Sequence, residues 1–106
     1  MEVLGEMDLK RLTEAADKAT VLMKTLGHRG RLLVLCQLAG GEKSVGELSN
    51  ILDIPQSPLS QHLSRMRKEA LVQTRRDAQT IYYSLKSDKA SKVIECLYQL
   101  YCADES

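Results

Sequence analysis

Hydrophobic residues recur at spacings of three and four along most of the chain, which is the pattern of amphipathic helices. A first helix is predicted to begin after Asp8 and to end near Gly27. Its apolar face consists of Leu9, Leu12, Ala16, Ala19, Met23 and Leu26. The next segment, RLLVLCQLA, follows Gly30, is apolar on nearly all sides and ends at two glycines. It predicts a short buried helix that contains Cys36.

A helix-turn-helix is predicted in the middle of the chain. Ser44 and Glu47 have the spacing of a capping box, which marks the start of a third helix that ends near Asp53. Pro55 then interrupts the helical pattern. The pattern resumes over residues 56–70, where the predicted buried stripe is Leu59, Leu63 and Met66. Two short helices joined by a tight turn are therefore expected.

Residues 71–76 and 80–85 are the only stretches rich in β-forming residues, and the three residues between them suit a hairpin. Ser87 or Asp88 is predicted to cap a last helix. That helix has a broad apolar face formed by Val93, Ile94, Leu97, Leu100 and Tyr101. The order ααααββα predicts a mainly α winged helix-turn-helix that occupies residues 1–106 as a single domain.

Size and composition agree with one small helical domain. The chain has 106 residues, of which 43% are hydrophobic, with four Tyr and no Trp or Phe. Such a composition favours packed helices over a large sheet. No apolar stretch approaches the length of a membrane span and the N-terminus carries charges, so a cytoplasmic protein is expected. The three cysteines form neither a dense framework nor a CxxC pair, so any disulfide would be a signal and not a structural bond.

The net charge of +1 hides a basic central segment. Residues 56–86 contain six basic and two acidic side chains, whereas the flanking segments are neutral or acidic. The cluster comprises Arg65, Arg67, Lys68, Arg75 and Arg76. It lies where a winged helix would meet a DNA duplex, although a charged run is also typical of an ordinary solvated face.

Polar side chains in the second helix of the motif have the types that read DNA. Most of them share the face opposite the predicted buried stripe, and they are Gln56, Ser57, Ser60, Gln61 and Ser64. Glutamine pairs with adenine through two hydrogen bonds, and serine reaches phosphates or bases. His62 has three interpretations: a DNA contact, a packing residue near the turn, or a metal ligand. Arg75, Arg76 and Gln79 of the hairpin are candidates for phosphate or minor-groove contacts, with plain solvent exposure as the alternative for Gln79.

These segments together resemble the ArsR/SmtB family of dimeric bacterial repressors over nearly the whole chain. The resemblance rests on LLVLCQL, SVGELSNILDI, QSPLSQHLSRMRKEALV and TRRDAQTIYYSL. Metal-sensing members carry a Cys-x-Cys pair before the turn, or Asp and His ligands in the last helix. This chain has neither arrangement, and its scattered His and Cys residues supply no evident tetrahedral set. No metal site and no cofactor are predicted.

The chain is most similar to the BigR/SqrR/HlyU-type group, which senses persulfides and related oxidants through two cysteines. Cys36 and Cys102 fall on the matching positions. The resemblance implies that reactive sulfur species link these two residues and that the repressor then releases DNA. The residues alone favour packing for Cys36 and give no local cause for a lowered pKa at Cys102. Cys96 matches no switch position and is interpreted as a packing residue or a bystander.

Pro55 and Pro58 stand where the family usually has a capping serine and an alanine, and proline is tolerated in a first helical turn. We therefore expect the fold to survive and DNA affinity or site preference to differ. A homodimer formed by the first and last helices is predicted. It would read double-stranded DNA as an inverted repeat with half-sites ~34–36 Å apart.

Three other functions fit parts of the pattern. An anti-silencing transcriptional activator would need the same DNA face. A cysteine-dependent thiol oxidoreductase would need an activated thiolate, and no CxxC or Cys-His grouping is present. A winged helix that binds only protein would not need the segregated arginines. The predicted function is a repressor and not an enzyme, and the anti-silencing activator stays open as the alternative because the sequence does not separate the two.

Overall fold

The computed structural model describes residues 8–103, which form five helices and three short strands. The helices are α1 (Leu9–Leu26), α2 (Arg29–Ala39), α3 (Val45–Leu52), α4 (Gln56–Lys68) and α5 (Asp88–Tyr101). The strands are β1 (Lys43–Ser44), β2 (Val72–Asp77) and β3 (Thr80–Leu85). The predicted winged helix-turn-helix is confirmed, with α3 and α4 as the motif and β2 and β3 as the wing.

The core is centred on α2, which packs against α1, α3, α4, α5 and β3. Its members are aliphatic side chains and one methionine from α2, α3, α4, β2 and α5, together with Leu71 just before β2. They are Val34, Leu35, Leu38, Leu48, Leu59, Leu63, Met66, Leu71, Val72, Ala90 and Ile94. α2 thus lies between the helix-turn-helix and α5, and it packs directly on α4.

The helix-turn-helix begins and turns as its sequence predicts. Ser44 and Glu47 form a capping box, in which each side chain accepts a hydrogen bond from the other residue's backbone N–H. Asp53 ends α3 in the left-handed conformation, at φ 55°. Pro58 is the third residue of α4, where its missing N–H would have had no partner within the helix. Pro55 is the N-cap and makes no side-chain cap hydrogen bond, so α4 forms without the usual serine cap.

The sheet has the order β1-β3-β2, with antiparallel neighbours. β1 was not predicted from the sequence, because two residues are too short to show an alternating pattern. In the wing, Arg75 pairs with Tyr82, and the pair of Asp77 with Thr80 leaves a two-residue turn. The first residue of that turn, Ala78, has φ 57°, a left-handed conformation that non-glycine residues seldom adopt.

The expectation that α2 is buried on nearly all sides is wrong at Cys36. The core side of this helix contributes Val34, Leu35 and Leu38, whereas Cys36 is exposed on the other side. The physical reason is that α2 packs on the core with one side only and faces an open cleft with the other. Packing in the core is therefore excluded as the role of Cys36.

Large apolar side chains remain exposed on α1 and α5. They are Leu9, Leu12, Val21, Met23, Tyr98, Leu100 and Tyr101. In the described part of the chain, α1 packs on the core through its last part, with Leu22, Leu26 and the buried Thr25. Within residues 8–103, no helix has the length and apolar character needed to cross a bilayer.

Candidate nucleic-acid interface and dithiol cleft

The exposed face of α4 carries the polar residues that the sequence analysis selected. The side chains of Gln56, Ser57, Ser60, Gln61 and Ser64 are all exposed. The opposite side of the same helix is fully buried, with Leu59, Leu63 and Met66 each 0% exposed. Because of helical periodicity, the apolar face of α4 packs on the core and the face with hydrogen-bonding side chains is exposed to solvent.

The C-terminal half of α4 bears the basic residues. Gln61, Ser64 and Lys68 lie beside Arg65 and Glu69 around a shallow depression of about 440 Å³. Arg67 and Lys68 are exposed, and neither forms an ion pair with any residue in the described part of the chain. Their charges are therefore available to a phosphate backbone.

Arg65 is already engaged within the protein. Its Nε donates to Oε2 of Glu69 at 3.0 Å, and the other oxygen of that carboxylate accepts a hydrogen bond from the Thr25 hydroxyl of α1. Arg31 of α2 donates to the Thr25 carbonyl at 3.0 Å. This group joins α1, α2 and the end of α4, so Arg65 has a structural partner that the charge count did not reveal.

His62 lies on the side of α4 that faces α2. Its ring is half-buried and stands 4.6 Å, centroid to centroid, from the ring of His28. His28 is the N-cap of α2, and its Nδ1 accepts a hydrogen bond from the Gly30 N–H at 3.1 Å. Burial lowers the pKa of His62, and the positive charges of His28, Arg31 and Arg65 lower it further. Among the three interpretations, this position favours packing near the turn.

The wing arginines have different surroundings. The single Nε–H of Arg75 is shared between the two carboxylate oxygens of Glu42, at 2.8 and 3.0 Å, and Nη2 donates to Oε1 of the same carboxylate. The Arg75 guanidinium lies 4.7 Å above the centre of the Tyr82 ring. Arg76 and Gln79 are exposed, and Arg76 pairs with no carboxylate in the part of the chain that the structure covers. The ion pair holds the pKa of Glu42 below its ordinary value and raises that of Arg75.

Cys36 and Cys102 open into one cleft between α2 and α5. The cleft has a volume of about 730 Å³, and its walls are mostly apolar. They include Leu32, Ile94, Leu97, Tyr98 and Tyr101. Both thiols are exposed, and both lie among the residues that line this cleft. The fold thus brings together two residues that are 66 positions apart in the sequence.

Partial burial raises the pKa of the Cys36 thiol, and the charge of Cys102 raises it further. Cys36 is therefore mainly the protonated thiol at neutral pH. Cys96 is exposed and is not among the residues of the cleft, which agrees with its interpretation as a bystander.

Residues 8–103 contain no group of three or more His, Cys, Asp or Glu side chains arranged to hold a metal ion. His62 has two arginines and a histidine nearby, and it belongs to no group of potential metal ligands among these residues. A metal-binding role for His62 thus has no support in its surroundings.

Comparison with known proteins agrees with this architecture. Residues 28–74, from the N-cap of α2 into β2, match the family model described as bacterial regulatory protein, arsR family. The chain is also 47% identical over 102 residues to the biofilm growth-associated repressor of Agrobacterium fabrum, covering 96% of this chain and 87% of the relative. This chain belongs to the ArsR family.

Other relatives of this ArsR-family protein include an activator. The transcriptional activator HlyU of Vibrio cholerae is 46% identical over 96 residues, covering 91% of this chain and 89% of HlyU. A solved structure of reduced HlyU from the same organism superimposes with a TM-score of 0.85, covering 89% of this chain and 99% of that one. The ArsR-family chain is thus a transcriptional regulator and not an enzyme.

Two features of the site escaped the sequence analysis of this ArsR-family protein. Glu42, the partner of Arg75, precedes it by 33 residues and belongs to no motif. Thr25, the partner of Glu69, lies on α1, and nothing in the surrounding sequence distinguishes it from the other polar residues of that helix. Neither pairing has a local sequence signal, since each depends on how the elements pack.

Proposed function

We propose that this regulator binds an inverted-repeat operator as a homodimer and releases it when Cys36 and Cys102 become covalently linked. The observation that carries the proposal is the apolar cleft that both exposed thiols share. Reactive sulfur species, of which a persulfide is the simplest, are the proposed effectors, and the bacterial cytoplasm is the proposed site of action. The exposed face of α4 and the wing supply the DNA contacts.

The chemistry requires only the two thiols and a persulfide, RSSH. One cysteine thiolate attacks the outer sulfur of RSSH, which forms a protein persulfide and releases RSH. The other thiolate then attacks the inner sulfur and releases H₂S. The sum is two thiols plus RSSH giving a disulfide, RSH and H₂S. A second RSSH inserts one more sulfur, so that two thiols and two RSSH give a trisulfide, two RSH and H₂S.

The link would act on DNA binding through α2. This helix packs directly against both α4 and α5, and Cys36 lies on its cleft side. Drawing α2 and α5 together at the cleft changes the position of α4 relative to the dimer axis. A coupling free energy of ~1–3 kcal/mol is typical for such control and corresponds to a 5- to 150-fold change in operator affinity.

The dimer is proposed from the exposed apolar faces of α1 and α5. Most of the stability of a helix in a protein comes from packing its apolar face, and most of α1 has no partner within the described part of its own protomer. A second copy would cover both faces and place two copies of α4 on one side, as two half-sites of an inverted repeat require.

The test combines selection and titration. Duplexes bound by the reduced protein are selected from a random-sequence library, and their affinity is measured before and after treatment with a persulfide donor. Cys36→Ser and Cys102→Ser should bind the selected duplex and fail to respond, whereas Cys96→Ser, the matched control, should respond normally. Intact mass spectrometry should show the loss of two hydrogens, with or without added sulfur, only when both Cys36 and Cys102 are present. A normal response in both switch variants would refute the dithiol mechanism.

Activation is the second candidate outcome, because an activator and a repressor are among the similar relatives. An anti-silencing activator would displace another DNA-bound protein with the same DNA face. A reporter placed behind a selected operator in a deletion strain distinguishes the two. Expression that rises on deletion indicates repression, and expression that falls indicates activation.

A further inference from the structure

Arg75 and Glu42 connect the two outer strands of the sheet. β1 and β2 share no hydrogen bonds, since β3 lies between them. The Arg75 side chain crosses β3 above the Tyr82 ring and reaches Glu42, the residue before β1. β1 in turn leads into Ser44, the N-cap of α3. The contact thus joins the wing to the first residues of the helix-turn-helix.

The geometry leaves Arg75 poorly placed to contact DNA. The Nε and Nη2 atoms of its guanidinium both donate to the Glu42 carboxylate, and the ring of Tyr82 lies beneath the cation. Without displacing Glu42, a phosphate could reach only the remaining N–H groups of the guanidinium, whose charge the Glu42 carboxylate already balances. Arg76, one residue further along β2, points to the opposite face of the strand. It has no acidic partner within residues 8–103.

We infer that Arg75 is a positioning residue, and that Glu42, Arg75 and Tyr82 form a clamp that sets the angle of the wing against the helix-turn-helix. Arg76 is then the wing cation that meets phosphate. The inference rests on the proposed DNA-binding function. It gives the two adjacent arginines different roles: Arg75 positions the wing and Arg76 contacts DNA. Glu42 is an acidic residue beside a basic surface. By holding Arg75, it would favour DNA binding although its own charge is negative.

The two roles for Arg75 predict opposite effects of Glu42→Gln. If Arg75 were a phosphate contact restrained by Glu42, the substitution would free a cation, remove a negative charge and tighten binding. If the clamp positions the wing, Glu42→Gln should weaken binding about two- to fivefold, as loss of an exposed ion pair suggests. Arg75→Ala should weaken binding to a similar extent.

The salt dependence of DNA affinity gives a second, independent test of the roles of Arg75 and Arg76. Each phosphate contact contributes about −0.9 to the slope of log affinity against log salt concentration. Arg76→Ala should make the slope shallower by about one per wing, whereas Arg75→Ala and Glu42→Gln should leave it unchanged. The probe is a duplex selected by the protein from a random-sequence library, titrated at four salt concentrations, and circular dichroism confirms that each variant is folded.

Exchanging the charges of Arg75 and Glu42 tests whether DNA binding can be restored in a variant that has lost the ion pair. Arg75→Glu should weaken binding strongly, and addition of Glu42→Arg should restore most of the loss because the ion pair is rebuilt in reverse. Tighter binding by Glu42→Gln, a shallower slope for Arg75→Ala, or no rescue by the exchanged pair would each overturn the clamp while the unaltered protein still binds DNA. Failure of the unaltered protein to bind any duplex would overturn the proposed function itself, and the clamp with it.

Discussion

The buried hydroxyl of Thr25 donates a hydrogen bond to the carboxylate of Glu69, and this contact joins the end of α1 to the end of α4. Glu69 also accepts from Arg65 and caps α4, while Ala70, at φ 59°, ends the helix. The same residues thus terminate α4 and fix its distance from α1. In the proposed dimer, α1 belongs to the interface, so the contact would relate the interface to the DNA-reading surface.

Thr25→Val should lower the free energy of unfolding by about 1–3 kcal/mol. The substitution keeps the shape of the side chain and removes the donor to one oxygen of the Glu69 carboxylate, while Arg65 still donates to the other oxygen. Hydrogen bonds to charged groups are worth about that amount. Chemical denaturation at one fixed protein concentration measures the change. Thr13→Val is the matched control, because the exposed Thr13 hydroxyl bonds only to the carbonyl of Leu9 in its own helix. Equal losses in the two variants would contradict the role of Glu69.

Stability should fall as the pH drops below about 6.5, and His62 should account for part of the fall. Burial and nearby positive charges lower the pKa of folded His62 from its ordinary value of 6.5. Between the two pKa values the unfolded chain binds more protons, so acid favours unfolding there and the effect is absent above pH 6.5. His62→Gln should show a smaller decrease in melting temperature between pH 7 and pH 5. A larger decrease in the variant would show that the sign is wrong.

Gln61→Ala and Lys68→Ala should damage DNA binding in different ways. Both side chains are exposed along one face of α4 and border the same depression. Loss of a glutamine that pairs with a base should reduce discrimination at one base pair by about 1–3 kcal/mol. Loss of a lysine that meets phosphate should weaken binding to all duplexes alike and make the salt slope shallower by about one per protomer. Selection on randomised duplexes followed by salt titration measures both, and Gln73→Ala, an exposed glutamine on β2, is the control.

Leu100→Asp should prevent dimerisation. Leu100 is 68% exposed on the apolar face of α5. Burial of a leucine contributes about 1.5–3 kcal/mol, and burial of an unpaired carboxylate opposes association further, so the dissociation constant should rise more than tenfold. Sedimentation velocity over a concentration series measures the change. Ile51→Asp is the control, since Ile51 is 52% exposed but lies on α3. A dimer that tolerates Leu100→Asp would place the interface elsewhere.

Local sequence signals predicted most helices and strands of this fold. The features that were not predicted are those that depend on tertiary packing. The capping serines at 44 and 87 and the glycine after α1 act within a few residues, so their effects are visible in the sequence. The length of β1 is set by its pairing with Tyr82 and Tyr83, which are almost 40 residues away. The sequence of β1 alone therefore carries no signal.

The candidate site shows the same division. The exposed face of α4 follows from helical periodicity, so Gln61 and Ser64 were predicted correctly to be on the surface. The exposure of Cys36 was not, because an apolar helix can face either a core or an open apolar cleft. The partners of Arg65 and Arg75 also depended on packing, since counting charges in a segment ignores acidic residues that fold against it.

The left-handed Ala78 at the tip of the wing has a thermodynamic consequence of its own. Alanine at φ 57° is strained by about 1 kcal/mol relative to glycine, which adopts this conformation freely. In return, the alanine turn samples fewer backbone conformations than a glycine turn would. A wing with so restricted a tip has less conformational entropy to lose when it becomes ordered against a partner. Alanine at this position thus lowers the folding stability slightly and restricts the conformations of the wing tip.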